Sequence, residues 1–151
     1  MTFSDKLNWN QHISHISGAA NRMLGFLWRN LRSCPRALKE QAYKTYVRPK
    51  LEYCCTIWDP HQKTYVTKLE MVQHRAARFV TNTPHRRSDE DQTSITALVQ
   101  ELGWQTLQER RRNTRLALLY KVKSGIVEVP QVYHPQLRDP QPRRGNGKDY
   151  V

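Results

Sequence analysis

The chain has 151 residues, of which 25 are Lys or Arg and 13 are Asp or Glu, so its formal charge is +12 at neutral pH. Hydrophobic residues make up 38% of the sequence and recur along most of it, which argues against general disorder. The longest apolar run, over residues 116–120, has five residues, whereas a membrane span needs about 20. We therefore expect one folded domain with a tail, and no membrane partner.

The cysteines and the first residues indicate the compartment. The chain has three cysteines, an odd number that offers no disulfide framework, and none of them lies in a Cys-x-x-Cys pair that could hold a metal. The first fifteen residues contain no apolar segment of the kind found in a secretory signal. These features predict a reducing, intracellular compartment.

Apolar residues at steps of three and four predict an amphipathic first helix over residues 8–31. Its polar face should carry His12. Gly18 and Gly25 each weaken the helix by about 1 kcal/mol relative to alanine. Two glycines on one helix are typical of close packing against a neighbour.

A second helix is predicted over residues 35–49, because proline suits a first helical turn and the apolar spacing continues from there. Pro49 removes the hydrogen bond to the carbonyl of Thr45 and should bend the helix. We expect the helix to continue beyond the bend to Trp58 and to end at Asp59 and Pro60.

A third helix is predicted over residues 61–82, with Lys68, Arg75 and Arg78 outside its buried face. The buried stripe should consist of Val66, Leu69, Val72 or Gln73, Ala76, Phe79 and Val80. Residues 83–92 are polar and contain a proline, which predicts an exposed loop.

A short fourth helix, over residues 94–102, should end at Gly103. Thr106 and Glu109 have the spacing of a capping box and open a fifth helix that stops at Gly125. The predicted fold is all-α, with about five amphipathic helices in one bundle or helical array over residues 1–130. Residues 131–151 are rich in proline and arginine and predict a flexible basic tail.

The sequence contains little that indicates catalysis or the binding of a metal or cofactor. Asp89, Glu90 and Asp91 are contiguous and read as a solvated acidic loop rather than a magnesium site. His12 and His15 stand three apart, with no third zinc ligand at a helpful spacing. The chain also lacks a phosphate-binding loop and a nucleophile elbow. We predict no active site, no metal and no cofactor.

Positive charge is the stronger signal. Between residues 22 and 50 there are eight Lys or Arg and one acid, and the fifth helix has six cations opposed only by Glu109. Such a surface attracts a nucleic-acid backbone without reading its sequence. The alternative is a solvated face whose aliphatic stems cover apolar neighbours. The candidate phosphate contacts are Arg110, Arg111, Arg112 and Arg115, followed by Arg75, Arg78, Lys44 and Arg48.

The aromatic residues leave two interpretations open. The four tryptophans fall near helix ends or at apolar spacing, which favours core or hinge anchors over base stacking: Trp9, Trp28, Trp58 and Trp104. Four tyrosines lie among cations, where they could donate hydrogen bonds to phosphate: Tyr43, Tyr46, Tyr53 and Tyr65.

Three stretches together resemble a known family. They are residues 33–61, 68–82 and 102–122, with the signatures EY...WDP, QHRAARF and LGW...ERRR. In order and spacing they are similar to the region that follows the polymerase core in reverse transcriptases of non-LTR retrotransposons, the jockey-like group of LINE elements. The opening residues resemble that region too, so the likeness covers about residues 5–130.

The resemblance implies a helical thumb and C-terminal extension that grips a template-primer duplex beside the catalytic palm. The palm signature, an aromatic-x-Asp-Asp turn with a further Asp, is missing, as are the fingers and the endonuclease domain. Without those carboxylates a two-metal mechanism has no metal site. The chain therefore resembles a truncated element, and RNA-directed DNA polymerase activity is not expected of it.

The leading hypothesis is thus a noncatalytic, thumb-like fragment that binds RNA or an RNA/DNA hybrid through its phosphates. Other parts of the retrotransposon protein are further expected partners, and basicity and the resemblance suggest a nuclear or cytoplasmic location. One rival is a helical protein-interaction module that docks on an acidic partner or on the missing polymerase domains. Another is an active polymerase or nuclease, which would need a metal site.

Overall fold

The computed structural model of the protein describes residues 9–83, 91–130 and 132. Over these ranges the backbone is helical and contains no β-strand, as the all-α prediction requires. None of the described helices is long and apolar enough to cross a membrane. The helices are α1 (Asn10–Asn30), α2 (Arg36–Ala42), a π-helical segment (Tyr43–Val47), α3 (Arg48–Glu52), α4 (Cys55–Trp58), α5 (Lys63–Thr81), α6 (Asp91–Glu101) and α7 (Leu107–Lys123).

The described residues fall into two compact units, one that extends to Leu116 and one that begins at Ala117. In the first unit, α1 packs against α5, and the π segment and α3 pack against α1. The predicted apolar stripes of α1 and α5 meet in its core, where each fully buried aliphatic or aromatic side chain contributes about 1.5–3 kcal/mol. The members of the two stripes that are buried are Ile13, Ala20, Leu24, Leu27, Leu69, Val72, Ala76, Phe79 and Val80.

One side chain of α1 and one of α5 that were predicted to face outward are buried. His12 is 6% exposed and lies against the rings of Trp9 and Trp58, with its centroid 5.3 Å from that of Trp58. Arg78 is 7% exposed. The buried faces are wider than the apolar stripes because each helix has several neighbours: α5 packs against α1, α2 and α6.

The helix that begins at Arg36 is interrupted before Pro49, as predicted, and the interruption is a π-helical turn. Residues Tyr43–Val47 form a π-helical segment in which the N–H of Arg48 donates to the carbonyl of Tyr43. Pro49 then lies in the first turn of α3, where its missing N–H removes no hydrogen bond. The wider turn thus accommodates the proline by adding a residue instead of by a simple kink.

The predicted continuation to Trp58 is wrong beyond Glu52. The helix ends there, and Cys54 adopts a left-handed conformation with φ of 52°. A separate short helix, α4, follows, and the indole N–H of the buried Trp58 donates to the carbonyl of Tyr53 at 2.8 Å. This bond closes the turn between α3 and α4.

The ends of the last two helices follow their local signals. After α6, the N–H of Gly103 donates to the carbonyl of Gln100 and that of Trp104 to the carbonyl of Val99, which is a Schellman cap. Thr106 and Glu109 form the predicted reciprocal capping box. Gly125, with φ of 70°, ends α7 in the same way as Gly103 ends α6.

Two of the predicted segments lie only partly within the residues that the structure describes. Helix α6 begins at Asp91, so the end of the predicted loop 83–92 is helical. Residues 84–90 of that loop lie outside the described residues. So does the predicted tail 131–151, apart from Val132.

The helix glycines do not mark close packing. A methyl group at Gly18 would meet only Arg22 Nη1 at 3.5 Å, and one at Gly25 only Arg29 Nη1 at 3.7 Å. Both are ordinary contacts with the end of a flexible side chain, so neither glycine is required by a neighbouring helix.

Gly18→Ala and Gly25→Ala should therefore each raise the free energy of unfolding by about 0.5–1 kcal/mol, because alanine loses less backbone entropy in a helix. Gly103→Ala is the matched control: its position has room for a methyl group but a φ of 63°, so we expect destabilisation. Urea unfolding measures all three. A loss of stability in both helix variants would contradict the open surroundings of these glycines.

Burial lowers the pKa of His12 below its ordinary value of 6.5. Between the lowered pKa and 6.5 the unfolded chain binds more protons than the folded protein, so stability falls as the pH drops through that window. His12→Phe keeps an aromatic ring against Trp58 and removes the titration. The loss in free energy of unfolding from about pH 7.5 to about pH 5.5 should be smaller in the variant than in the wild type; equal losses would contradict it.

Candidate nucleic-acid interface

Three carboxylates converge on the first two turns of α7. Glu70 of α5 accepts hydrogen bonds from the backbone N–H groups of Leu107 at 3.2 Å and Gln108 at 2.8 Å. Burial raises the pKa of Glu70, and the two N–H groups lower it in part. This carboxylate therefore satisfies N–H groups that the helix start leaves without an intrahelical partner.

The second carboxylate is Glu52, at the end of α3. It accepts hydrogen bonds from Arg110 Nε and, at 3.1 Å, from Arg110 Nη2, which is a two-pronged ion pair. Arg48 Nε lies 3.8 Å from the same group. The hydrogen bond to Glu52 raises the pKa of Arg110, so its guanidinium stays charged.

The third carboxylate is Asp59, between α4 and α5. It accepts from Arg111 Nε at 2.8 Å and lies 3.1 Å from Arg115 Nη1. The Arg111 side chain is 0% exposed, and both of its terminal nitrogens lack a hydrogen-bond partner. Arg111, which the sequence analysis names as a candidate phosphate contact, therefore faces inward toward Asp59 and not toward solvent.

The remaining candidate cations lie in different places. Arg112 is exposed and lines a cleft of about 290 Å³ with Arg115, Gln108 and the link between α4 and α5. Lys44 pairs with Glu40 at 2.6 Å. Arg75 is exposed and donates to Asn21 at 2.9 Å, while Arg78 is buried. The structure thus gathers Arg48, Arg110, Arg111 and Arg115 around two carboxylates and leaves Arg75 and Arg78 on α5.

The tryptophans pack in or against the core. Trp58 is buried, and Trp9 and Trp104 are partly buried against the core cluster. Trp104 stacks on Tyr43, with ring centroids 4.5 Å apart, and its indole N–H donates to Glu40 at 2.9 Å. Trp28 is 41% exposed and lies beside Phe79.

Within the described ranges, no group of three or more His, Cys, Asp or Glu side chains could hold a metal ion. Of the predicted acidic loop, Asp89 and Glu90 lie outside those ranges and Asp91 begins α6. His12 lies among aromatic rings, and His15 is exposed.

Comparison with known proteins adds one relative. An uncharacterised protein of Caenorhabditis elegans is 27% identical to this chain over 127 residues, which cover 84% of the chain and 62% of the relative. The chain therefore spans less than two thirds of that protein's length. No protein-family profile matches the chain, and no solved structure matches it.

The buried pair of Arg111 and Asp59 yields a test. Asp59→Ala leaves the guanidinium buried without a counter-charge and should cost about 3–5 kcal/mol in free energy of unfolding. Arg111→Met in that background removes the uncompensated charge and keeps a long apolar side chain. The double variant should therefore be more stable than Asp59→Ala alone, as measured by urea unfolding. Additive losses from the two changes would contradict the pairing.

Proposed function

We propose that the chain binds the phosphate backbone of RNA or of an RNA/DNA hybrid and performs no catalytic step of its own. The observation that carries this proposal is the set of exposed cations that form no ion pair among the described residues. In the first unit they are Arg22, Arg29, Arg32, Lys50, Lys63, Lys68, Arg75 and Arg112.

The described carboxylates of the first unit cannot neutralise these cations, because they are already engaged. Glu40, Glu52, Asp59 and Glu101 form ion pairs. Glu70 and Glu109 accept hydrogen bonds from the start of α7. The positive charges on a densely cationic surface repel each other. A bound nucleic acid relieves this repulsion, and its binding is favoured because it releases the counterions condensed on the phosphates.

The proposed contacts are those candidate residues whose side chains reach the surface. Arg112 and Arg115 line one cleft beside α7, and Lys44, Arg48 and Arg110 line another. Arg111 and Arg78 are buried and are left out. Together with the resemblance, this arrangement supports a thumb-like domain that holds a nucleic acid for other parts of a retrotransposon polymerase.

A second candidate is a protein-interaction module, favoured by one observation in the second unit. Its helical residues Leu118, Leu119 and Tyr120 are 43%, 45% and 67% exposed. Exposed apolar side chains also occur at surfaces that bind other proteins. Such a surface would serve docking on other polymerase domains.

A salt titration tests the proposed function. The purified chain is mixed with fluorescent single-stranded RNA, duplex DNA and an RNA/DNA hybrid. Affinity should fall steeply with salt, and Arg112→Gln should lower the logarithmic slope by about 0.7 for the single strand and about 0.9 for a duplex.

Lys123→Gln removes the same charge near the other end of α7 and is the matched control. Its slope should change less than that of Arg112→Gln if Arg112 contacts a phosphate. Equal slopes for both variants and the wild type would exclude the α7 surface as a phosphate-binding site. Failure to bind any of the three ligands would exclude nucleic-acid binding and favour the interaction module.

A further inference from the structure

Helices α1 and α5 form a second cationic surface, which we term the α1/α5 face. Lys68 Nζ of α5 donates to Ser14 Oγ of α1 at 2.8 Å, and Arg75 Nη1 donates to Asn21 Oδ1 at 2.9 Å. Both bonds join residues 54 positions apart, so the two helices run parallel along this face and the two cations lie two turns apart. The face consists of Arg22, Phe26, Arg29, Lys68 and Arg75.

The other two cations of the face, Arg22 and Arg29, lie along α1 itself. A Cβ atom at Gly18 would lie 3.5 Å from Arg22 Nη1, and one at Gly25 would lie 3.7 Å from Arg29 Nη1. Each guanidinium therefore lies over the glycine one turn before it, in the direction in which helical side chains point. The four cationic groups thus form two rows that extend from the level of Ser14 to that of Gly25, about 16 Å along the helix axis.

Among the described residues, no carboxylate pairs with these four cations. The groups that accept hydrogen bonds from Lys68 and Arg75 are a serine hydroxyl and an asparagine amide, which are neutral. Helix α1 contains no Asp or Glu, and the one acid of α5, Glu70, binds the start of α7. All four cationic side chains are exposed, so their charge is available to a polyanion.

Phe26 lies on the same side of α1 as the two arginines. It follows Arg22 by four residues and precedes Arg29 by three, and these spacings place side chains on one face of a helix. Its side chain is 53% exposed. Proteins that bind single-stranded nucleic acids combine exposed aromatic rings with cations, because the bases stack on the rings while the cations contact the phosphates.

From this arrangement we propose that the α1/α5 face binds a single strand of nucleic acid. One base stacks on Phe26, and Arg22 and Arg29 bind the phosphates on either side of it. Lys68 and Arg75 contact the backbone along the second row. This inference rests on the proposed function and deepens it, because it names a site and the form of nucleic acid that occupies it.

Fluorescence anisotropy of the full chain tests the stacking with a single-stranded RNA, an abasic ribose phosphate strand of the same length and a duplex DNA. The wild type should bind the RNA at least about fivefold more tightly than the abasic strand, as expected for one stacked base. Phe26→Leu should remove this preference and leave the affinities for the abasic strand and the duplex unchanged. Phe26→Tyr keeps an aromatic ring and should retain the preference.

The variant that combines Arg22→Gln with Arg29→Gln tests the phosphate contacts. It should lower the logarithmic salt slope for the RNA strand by about 1.4, which is about 0.7 for each contact. Arg36→Gln is the matched control, because Arg36 is an exposed arginine of α2 that already pairs with Glu101, and its slope should change less. The replaced side chains are exposed, so the melting temperature of each variant should stay close to that of the wild type.

Equal affinity of the wild type for the RNA and the abasic strand would overturn this inference. So would an equal loss of affinity for both strands in Phe26→Leu, or an unchanged salt slope in the double arginine variant. If Arg112→Gln still lowers the slope in any of these cases, the proposed backbone binding stands without the α1/α5 face. Binding to none of the three ligands would overturn both.

Discussion

The first turns of α7 are held in place by carboxylates more than by apolar packing. Only Leu107 and Arg111 of its 17 residues are buried, whereas Glu52, Asp59 and Glu70 all bind its first two turns. These acids come from the end of α3, the link after α4 and the middle of α5. Because each comes from a different element, the binding site for the first turns of α7 is complete only when those elements are packed together. The clefts beside α7 are consequences of the same docking.

This use of acids explains how a chain of such high positive charge can fold. Its few described carboxylates in the first unit lie between helices or at helix starts, where one acid compensates one or two cations or caps backbone N–H groups. Most of the remaining cations point to solvent, where water and salt screen them. Lys39, in contrast, is buried and donates a hydrogen bond to Asn82 Oδ1. The surface thus keeps most of the excess positive charge of the described residues.

Much of the fold could be predicted because helix ends depend on residues that are close in sequence. The candidate site was harder to predict because its residues pair with partners that are far away in sequence. The caps at Gly103 and Gly125 and the capping box at Thr106 depend on residues within one turn, so their spacing alone located both helix ends. Arg111 pairs with an aspartate 52 positions earlier, which a charge count along one helix cannot reveal. The cleft lined by Lys44, Arg48 and Arg110 likewise joins residues from separate helices.

The π segment restricts the number of residues between α2 and α3 more than it restricts which residues they are. Each residue of an α-helix advances about 100° around the axis, so one residue added to or removed from a turn re-aims everything that follows. Loss of a single residue between Tyr43 and Val47 would rotate α3 by that angle and carry Leu51 out of the core and Glu52 away from Arg110. Homologous chains that keep this architecture should therefore tolerate substitutions in the segment far better than insertions or deletions.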